Sequence, residues 1–191
     1  NADPKIFPDA RKIDALNYVD TIELAYSGAQ IIHPKTIKPL QNKSIPLYVR
    51  PFGDKGAEGT KIDGTAANVT MPIIILKRNQ SLLKLRSRDL SFVLEEKFPI
   101  VFSTLERFRI KTNLINNSAV DLRLCVEESW RLEEAAEQLR GEGFDVQIES
   151  SVELLTIQNY DPETLSKYIE SPRNIIKQAN AETIRVVRTK E

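Results

Sequence analysis

Leu82-Leu83-Lys84-Leu85-Arg86-Ser87-Arg88-Asp89-Leu90 resembles Leu154-Leu155-Thr156-Ile157-Gln158-Asn159-Tyr160-Asp161-Pro162, 72 residues further on (82 to 154). Each is an apolar run of strand length that ends in a polar turn. A repeat of this kind means that one structural unit is used twice. The residues between the two runs give the unit's content. Residues 92–108 read as helical, with Val101, Leu105 and Phe108 on one stripe, and Pro99 fits only a first turn, so the helix is expected to begin near Phe98. Asn113-Leu114-Ile115 and Val120 to Val126 read as strands. Leu132 to Leu139 is an amphipathic helix stopped by Gly141-Glu142-Gly143, and Phe144-Asp145-Val146-Gln147-Ile148 alternates like a strand. From Gln80 to Ile148 the order is therefore β-α-β-β-α-β. Two βαβ-type units of this kind fold into a four-stranded antiparallel sheet with both helices on one face. The other face is expected to stay open and to seek a partner.

The second copy is shorter. After Leu154 the sequence predicts a helix from Glu163 to about Ala179, broken at Pro172, and a strand at Thr183-Ile184-Arg185-Val186-Val187. That is only β-α-β. Upstream of the first copy, Tyr18 to Gly28 reads as a helix with Val19, Ile22 and Tyr26 at i, i+3, i+7 spacing. A second helix is expected from Pro34 to Asn42, then a strand at Ile45 to Arg50 and a short strand at Lys61-Ile62. An open strand edge is an aggregation hazard, so the orphan elements are expected to complete each other. The reading is an α+β, ferredoxin-like chain of two interleaved βαββαβ modules, each an antiparallel sheet with helices on one face. One module would occupy 80–148, the other would combine 34–79 with 149–191, and 1–33 would be the end of a preceding domain. The chain opens Asn1-Ala2-Asp3 without an initiator methionine and reads as a piece of something longer.

Composition narrows the function. Lys plus Arg and Asp plus Glu are both 27 in 191 residues, so there is no basic footprint for nucleic acid. No run approaches the roughly 18 apolar residues of a membrane helix. The single Cys125 excludes an intrachain disulfide, fits a reducing, cytoplasmic setting, and lies in an alternating strand without a charged activator. The single His33 excludes multi-histidine zinc sites, and its place before Pro34 suits a helix start better than catalysis. No metal site and no freestanding catalytic centre is expected.

Several segments, taken in order, resemble one known family. Ala2-Asp3-Pro4-Lys5 and the residues that follow look like that family's Thr-Ala-Asp-Pro-Arg segment. Glu23-Leu24-Ala25-Tyr26-Ser27-Gly28-Ala29-Gln30-Ile31-Ile32-His33-Pro34 is similar to its Glu-Leu-Ala-Tyr-Phe-Gly-Ala-Lys-Val-Leu-His-Pro stretch. Ile45 to Arg50, Gly59-Thr60-Lys61-Ile62 and Arg78-Asn79-Gln80-Ser81-Leu82-Leu83 continue the match in the family's order. The resemblance implies the C-terminal regulatory region of an aspartate kinase, with tandem ACT modules. The parent enzyme would use ATP and Mg to phosphorylate aspartate at the head of lysine, threonine and methionine synthesis. Asp3, Lys5 and Gln30 would be a remnant of the nucleotide site, with Gln30 in place of a lysine. The fragment itself would hold no cofactor and no catalytic residue.

The resemblance also implies a feedback site where two ACT modules meet. Its residues here would be Phe98, Ile100 and Val101 at a helix N-terminus, with Thr112, Asn113, Asn116, Asn117 and Ser118 on the following strand. A helix N-terminus suits an α-carboxylate. Asn113 stands where lysine-inhibited members carry an aspartate, which favours threonine over lysine as the effector. Lys111 reads as plain surface. A homodimer through the ACT modules is expected. The alternative is a dimerisation region without effector binding.

Overall fold

The computed structural model describes residues 1–29, 32–54, 56–90 and 92–190, without the side chains of Pro34 and Leu94. In chain order the elements are β1 (Ala15–Leu16), α1 (Tyr18–Ser27), α2 (Pro34–Asn42), β2 (Leu47–Val49), β3 (Thr60–Ile62) and β4 (Ile73–Ser87). A π-helical turn (Val93–Lys97) then leads into α3 (Phe98–Arg107), β5 (Thr112–Asn117), β6 (Asp121–Glu127), α4 (Leu132–Gly141) and β7 (Phe144–Gln158). The chain ends with α5 (Pro162–Tyr168), β8 (Asn174–Ala179) and β9 (Thr183–Thr189). They form a three-stranded sheet of order β1-β3-β2 and a six-stranded sheet of order β5-β6-β4-β7-β9-β8.

The six-strand order contains the expected module twice. Taking β4, β5, β6 and β7 as strands one to four gives the order 2-3-1-4, with α3 and α4 as the two helices. Taking β7, β8 and β9 as strands one to three gives the same order again, and β4 stands in the place of strand four. The sequence reading needs correcting here. Residues 45–50 do not join the strands at 154–157 or 183–187. β2 pairs antiparallel with β3, Leu47 to Ile62 and Val49 to Thr60, in the smaller sheet. The second copy has four elements of its own, because α5 ends at Tyr168 and β8 begins at Asn174. Pro172 cannot continue a helix, and Ile175-Ile176 suits a strand.

By internal contacts the chain divides into two units, and β4, β7, β8 and β9 each contribute to both. Unit 1 comprises Asn1–Leu76, Leu155–Ser171 and Gln178–Arg185. Its core joins Leu16, Tyr18, Leu24, Ile37, Ile62 and Ile73. α1 starts at Asn17, whose side chain accepts the Asp20 N–H, and stops at Gly28, whose φ of 117° closes the last turn. The helix is where the sequence placed it, but its buried face is not. Tyr18, Thr21 and Leu24 face inward, whereas Val19 is 60% and Tyr26 52% exposed. His33 caps α2 by accepting the Lys35 N–H at Nδ1, 3.2 Å. α5 carries a reciprocal cap between Asp161 and Thr164.

Unit 2 comprises Lys77–Leu154, Pro172–Lys177 and Val186–Glu191. Leu83 and Leu85 of β4, Leu122, Leu124 and Val126 of β6 and Phe144 pack against Val101, Leu105, Ala135 and Leu139 from α3 and α4. The opposite sheet face was expected to be open. Instead Leu82, Leu114 and Cys125 are buried there with Val152, Leu154, Ile176 and Val187. A strand covered on both faces carries apolar residues at consecutive positions, which explains the unbroken run Leu82-Leu83.

In unit 1, Gly59 has φ +75° and lies against the Val49 carbonyl at the β2–β3 pairing. A methyl group there would press on that oxygen and on the Arg50 side chain. Gly59→Ala is expected to lower stability by about 1–3 kcal/mol, measured as a shift of the urea midpoint at unchanged slope.

Candidate functional site

The expected site lies in unit 2, on β5 and at the start of the helical segments that precede it. β5 is an edge strand, paired only with β6. Its register slips between Thr112, opposite Val126, and Leu114, opposite Cys125, so Asn113 is the extra residue of a β-bulge. A bulge re-aims a side chain, and this one turns Asn113 inward until it is only 8% exposed. There its Oδ1 accepts from Lys77 Nζ at 2.9 Å and its Nδ2 donates to Gln80 Oε1 at 2.7 Å. Gln80 passes the chain on through Nε2 to the Arg78 and Asn79 carbonyls, at 2.9 and 3.0 Å. Every polar end in this buried chain has a partner, as burial demands.

Cys125 lies beside the same chain, its thiol 3.9 Å from Gln80 Oε1. Burial pushes the thiol up to about 12, against the opposing pull of the Lys77 charge. At neutral pH it is a fully protonated, inert core group, as the sequence reading expected.

The other candidates lie apart from Asn113. Val101 is fully buried in the helix-side core, and Phe98 packs on Phe102 with ring centroids 4.3 Å apart. Phe98 and Ile100 are partly buried against that core. The five residues of the π-helical turn precede Phe98, so the first free N–H groups of the helical segment follow Phe92, five residues earlier than expected. The Val93 N–H already donates to the Ala119 carbonyl at 3.0 Å, which holds this helix start against the β5–β6 turn. Thr112 is half-buried, Asn116 pairs with Arg123, and Asn117 is exposed opposite Leu122. Ser118 closes the turn, its N–H donating to the Asp121 carbonyl and its Oγ accepting the Asp121 N–H. Arg86 donates two hydrogen bonds to the Asp121 carboxylate and holds it below the usual range.

Asn117, Ser118 and the helix start at Val93 are thus neighbours, whereas Asn113, Phe98 and Val101 serve the interior. The sequence reading missed Lys77 and Gln80, the partners of Asn113, because nothing in spacing reveals a bulge. At the N-terminus, Asp3 and Lys5 are exposed, and Asp3 Oδ1 accepts the Lys5 N–H at 2.9 Å. Gln30 lies outside the described residues. Among the described residues, no group of three or more His, Cys, Asp or Glu could hold a metal ion, and no helix is long and apolar enough to cross a membrane.

Comparison with known proteins adds to this picture. The amino acid kinase family matches residues 1–51. The chain is 32% identical over 130 residues to lysine-sensitive aspartokinase 3 of Escherichia coli (strain K12), covering 65% of this chain and 28% of that protein. It is 39% identical over 71 residues to a bifunctional aspartokinase/homoserine dehydrogenase of Haemophilus influenzae, covering 37% of this chain and 9% of that protein. Among solved structures, E. coli aspartokinase III in complex with lysine and aspartate (T-state) superposes with a TM-score of 0.79 at 23% identity, over 98% of this chain and 45% of that one. Aspartate kinase of Clostridium acetobutylicum gives a TM-score of 0.80 at 18% identity, over 98% and 48%. The chain thus shares the fold of these regions and spans well under half the length of the curated relatives it matches.

Two outcomes follow from the buried chain. Asn113→Ala leaves the Gln80 carbonyl oxygen and the Lys77 ammonium each short of a partner, and is expected to cost about 1–3 kcal/mol in urea unfolding. Cys125 is expected to resist iodoacetamide at pH 8 in the folded protein and to react at once in urea, followed by mass spectrometry.

Proposed function

We propose that this chain, a homologue of the aspartokinases, is the C-terminal regulatory region of an aspartate kinase. It would consist of tandem ACT modules that follow the end of an amino-acid-kinase domain. The observation that carries the reading is the twofold 2-3-1-4 strand order joined to the sequence likeness. The module pattern, the kinase-family match at residues 1–51 and the likeness to aspartokinases occur in the same chain. The parent enzyme would transfer a phosphoryl group from ATP, with Mg, to the aspartate side chain in the cytoplasm. Such transfer needs several groups converging on the phosphates, and this chain holds at most the exposed Asp3-Pro4-Lys5 edge of that site.

The effector would be an amino acid, lysine or threonine. E. coli aspartokinase III has been solved with lysine, and its fold covers 98% of this chain. In this chain the exposed Asn117 amide, the Ser118 hydroxyl, which can still donate, and the helical turn after Val93, whose own N–H is taken by Ala119, would receive it. The case for threonine through Asn113 no longer applies, since both ends of that amide are committed to Lys77 and Gln80. Homodimerisation would use the same region. β5 is an edge strand, and Leu90, Phe92 and Ile115 are exposed apolar side chains of unit 2. A dimer built there would close the effector site between two copies. The reading of a dimerisation region without an effector is the opposite outcome of the same test.

Calorimetric titration of lysine and threonine into the chain tests the proposal. One of them is expected to bind, weakly, near −5 kcal/mol or about high-micromolar, and Asn117→Ala/Ser118→Ala should abolish the heat. Light scattering should give a dimer at tens of micromolar, and a coupled assay with ATP, Mg and aspartate should stay at background. Turnover that copurifies with the chain would refute the regulatory reading. A dimer that binds neither amino acid would favour the dimerisation region.

A further inference from the structure

The second copy of the module shows what the fold needs at the place of the buried polar chain, because two backbone hydrogen bonds recur in both copies. The Glu127 N–H donates to the Lys111 carbonyl at 3.0 Å, and the Thr189 N–H to the Arg173 carbonyl at 3.2 Å. The Glu128 N–H donates to the Asn79 carbonyl at 2.9 Å, and the Lys190 N–H to the Ser151 carbonyl at 3.2 Å. Asn79 and Ser151 lie 72 residues apart, like Leu82 and Leu154, and both have a left-handed backbone, φ 56° and 59°. On β5 and β6 the shift to β8 and β9 is 62 residues (111 to 173, 127 to 189). Gln80 therefore matches Val152, Asn113 matches Ile175, and Cys125 matches Val187.

In the second copy these places are apolar. Val152 and Val187 are buried in one cluster with Cys125, and Ile175 packs against it. The same strand order thus closes this spot without a polar group. Replacing all the partners of a buried polar chain by apolar residues of like shape is close to neutral for stability. Packing alone therefore does not account for Lys77, Asn113 and Gln80 in the first copy.

Their geometry is that of an acceptor set for a cation. Gln80 is held by the Arg78 and Asn79 carbonyls and takes Asn113 Nδ2 at 2.7 Å, so the Asn113 amide cannot turn. Its Oδ1 is left facing Lys77 Nζ, at 2.9 Å. Lys77 comes from β4 and reaches β5 across β6, which lies between them. The place that matches Lys77 carries Glu149, whose carboxylate bonds Lys84 at 2.7 Å. Cation and amide thus occur together in the first copy, and the second has neither. Lys77 is half-buried, and its flexible stem can carry the ammonium out to water. We propose that Lys77 is a built-in occupant of an ammonium pocket, a latch by which the chain itself ties edge strand β5 to β4. With Lys77 in place β5 is set without any added molecule. With Lys77 withdrawn, Asn113 Oδ1 loses its cation and β5 loosens toward Asn117 and Ser118. The purpose of the latch rests on the reading that β5 carries the effector, whereas its geometry does not.

Residue-resolved hydrogen exchange of the full chain is the test. Lys77→Ala removes the equivalent of n-propylammonium. It is expected to speed exchange of the β5 amides about tenfold, the size of one lost charge-assisted hydrogen bond, and to leave α4 unchanged. Added n-propylammonium should restore the protection in a saturable way, 1-propanol should not, and the unsubstituted chain should respond to neither. Lys77→Met keeps the stem and removes only the charge, so β5 should loosen without rescue by n-propylammonium. Lys77→Ala/Gln80→Val/Asn113→Ile gives the first copy the apolar residues of the second, and should fold and ignore n-propylammonium. Where calorimetry shows lysine or threonine binding at β5, Lys77→Ala should weaken it about tenfold and n-propylammonium should restore it. A chain that binds neither amino acid counts against the regulatory reading, and the exchange data still decide on the latch. β5 as well protected in Lys77→Ala and Lys77→Met as in the unsubstituted chain would overturn the proposal. So would loosening in Lys77→Ala that n-propylammonium does not reverse.

Discussion

Two strands serve two modules each, and the rest of the structure follows from that constraint. β4 and β7 are both 15 residues long and lie side by side at the centre of the larger sheet. Each is strand one of one βαββ order and strand four of the other. Neither can be moved without breaking both modules. A strand in that position meets neighbours along both edges and cover on both faces. Leu82 packs to one side and Leu83 to the other, and both are fully buried. Conformational entropy opposes such ordering throughout. The apolar area that these two strands bury is the main term that offsets it.

The same arrangement explains the buried polar chain. Gln80 is buried on β4 and Lys77 is half-buried near it, and an amide or ammonium without partners there would be costly. The bulge in β5 brings Asn113 across to receive the Lys77 ammonium and to bond Gln80. A residue that the family resemblance places against a ligand is thereby committed to the interior. Fully satisfied buried networks favour one arrangement of the strands over others. Asn113 therefore belongs with the elements that fix the register of β5 on β6. What remains at the surface is the edge of β5, the turn closed by Ser118, and the helix start pinned by Val93.

Surface charges meet in pairs in both units. Arg86 with Asp121, Arg88 with Asp145 and Lys84 with Glu149 lie in unit 2, at 2.6 to 2.8 Å. Lys61 with Asp63 and Lys167 with Asp9 lie in unit 1, at 2.6 and 2.9 Å. Exposed pairs of this kind add little stability, and screening confines each field to its own surroundings.

The sequence by itself determined the βαββαβ order from Gln80 to Ile148, the repeat at Leu154, the caps at His33 and Gly28, and the inert character of Cys125. These are local matters. Alternation, periodicity, a missing N–H at proline and a left-handed glycine are all written in short windows. Tertiary structure alone decided which strand completes the second module. β4, not residues 45–50, takes that place, because pairing depends on which edges meet and not on the residues of either strand. It also decided which face of α1 is buried, one position away from the Val19–Tyr26 stripe. It decided that the sheet face expected to be open is buried, with Leu82, Leu114 and Cys125 in one cluster with residues of β7, β8 and β9. The bulge at Asn113 has no signature in its neighbours. One extra residue on an edge strand reverses a side chain's direction, and only the partner strand's register reveals it.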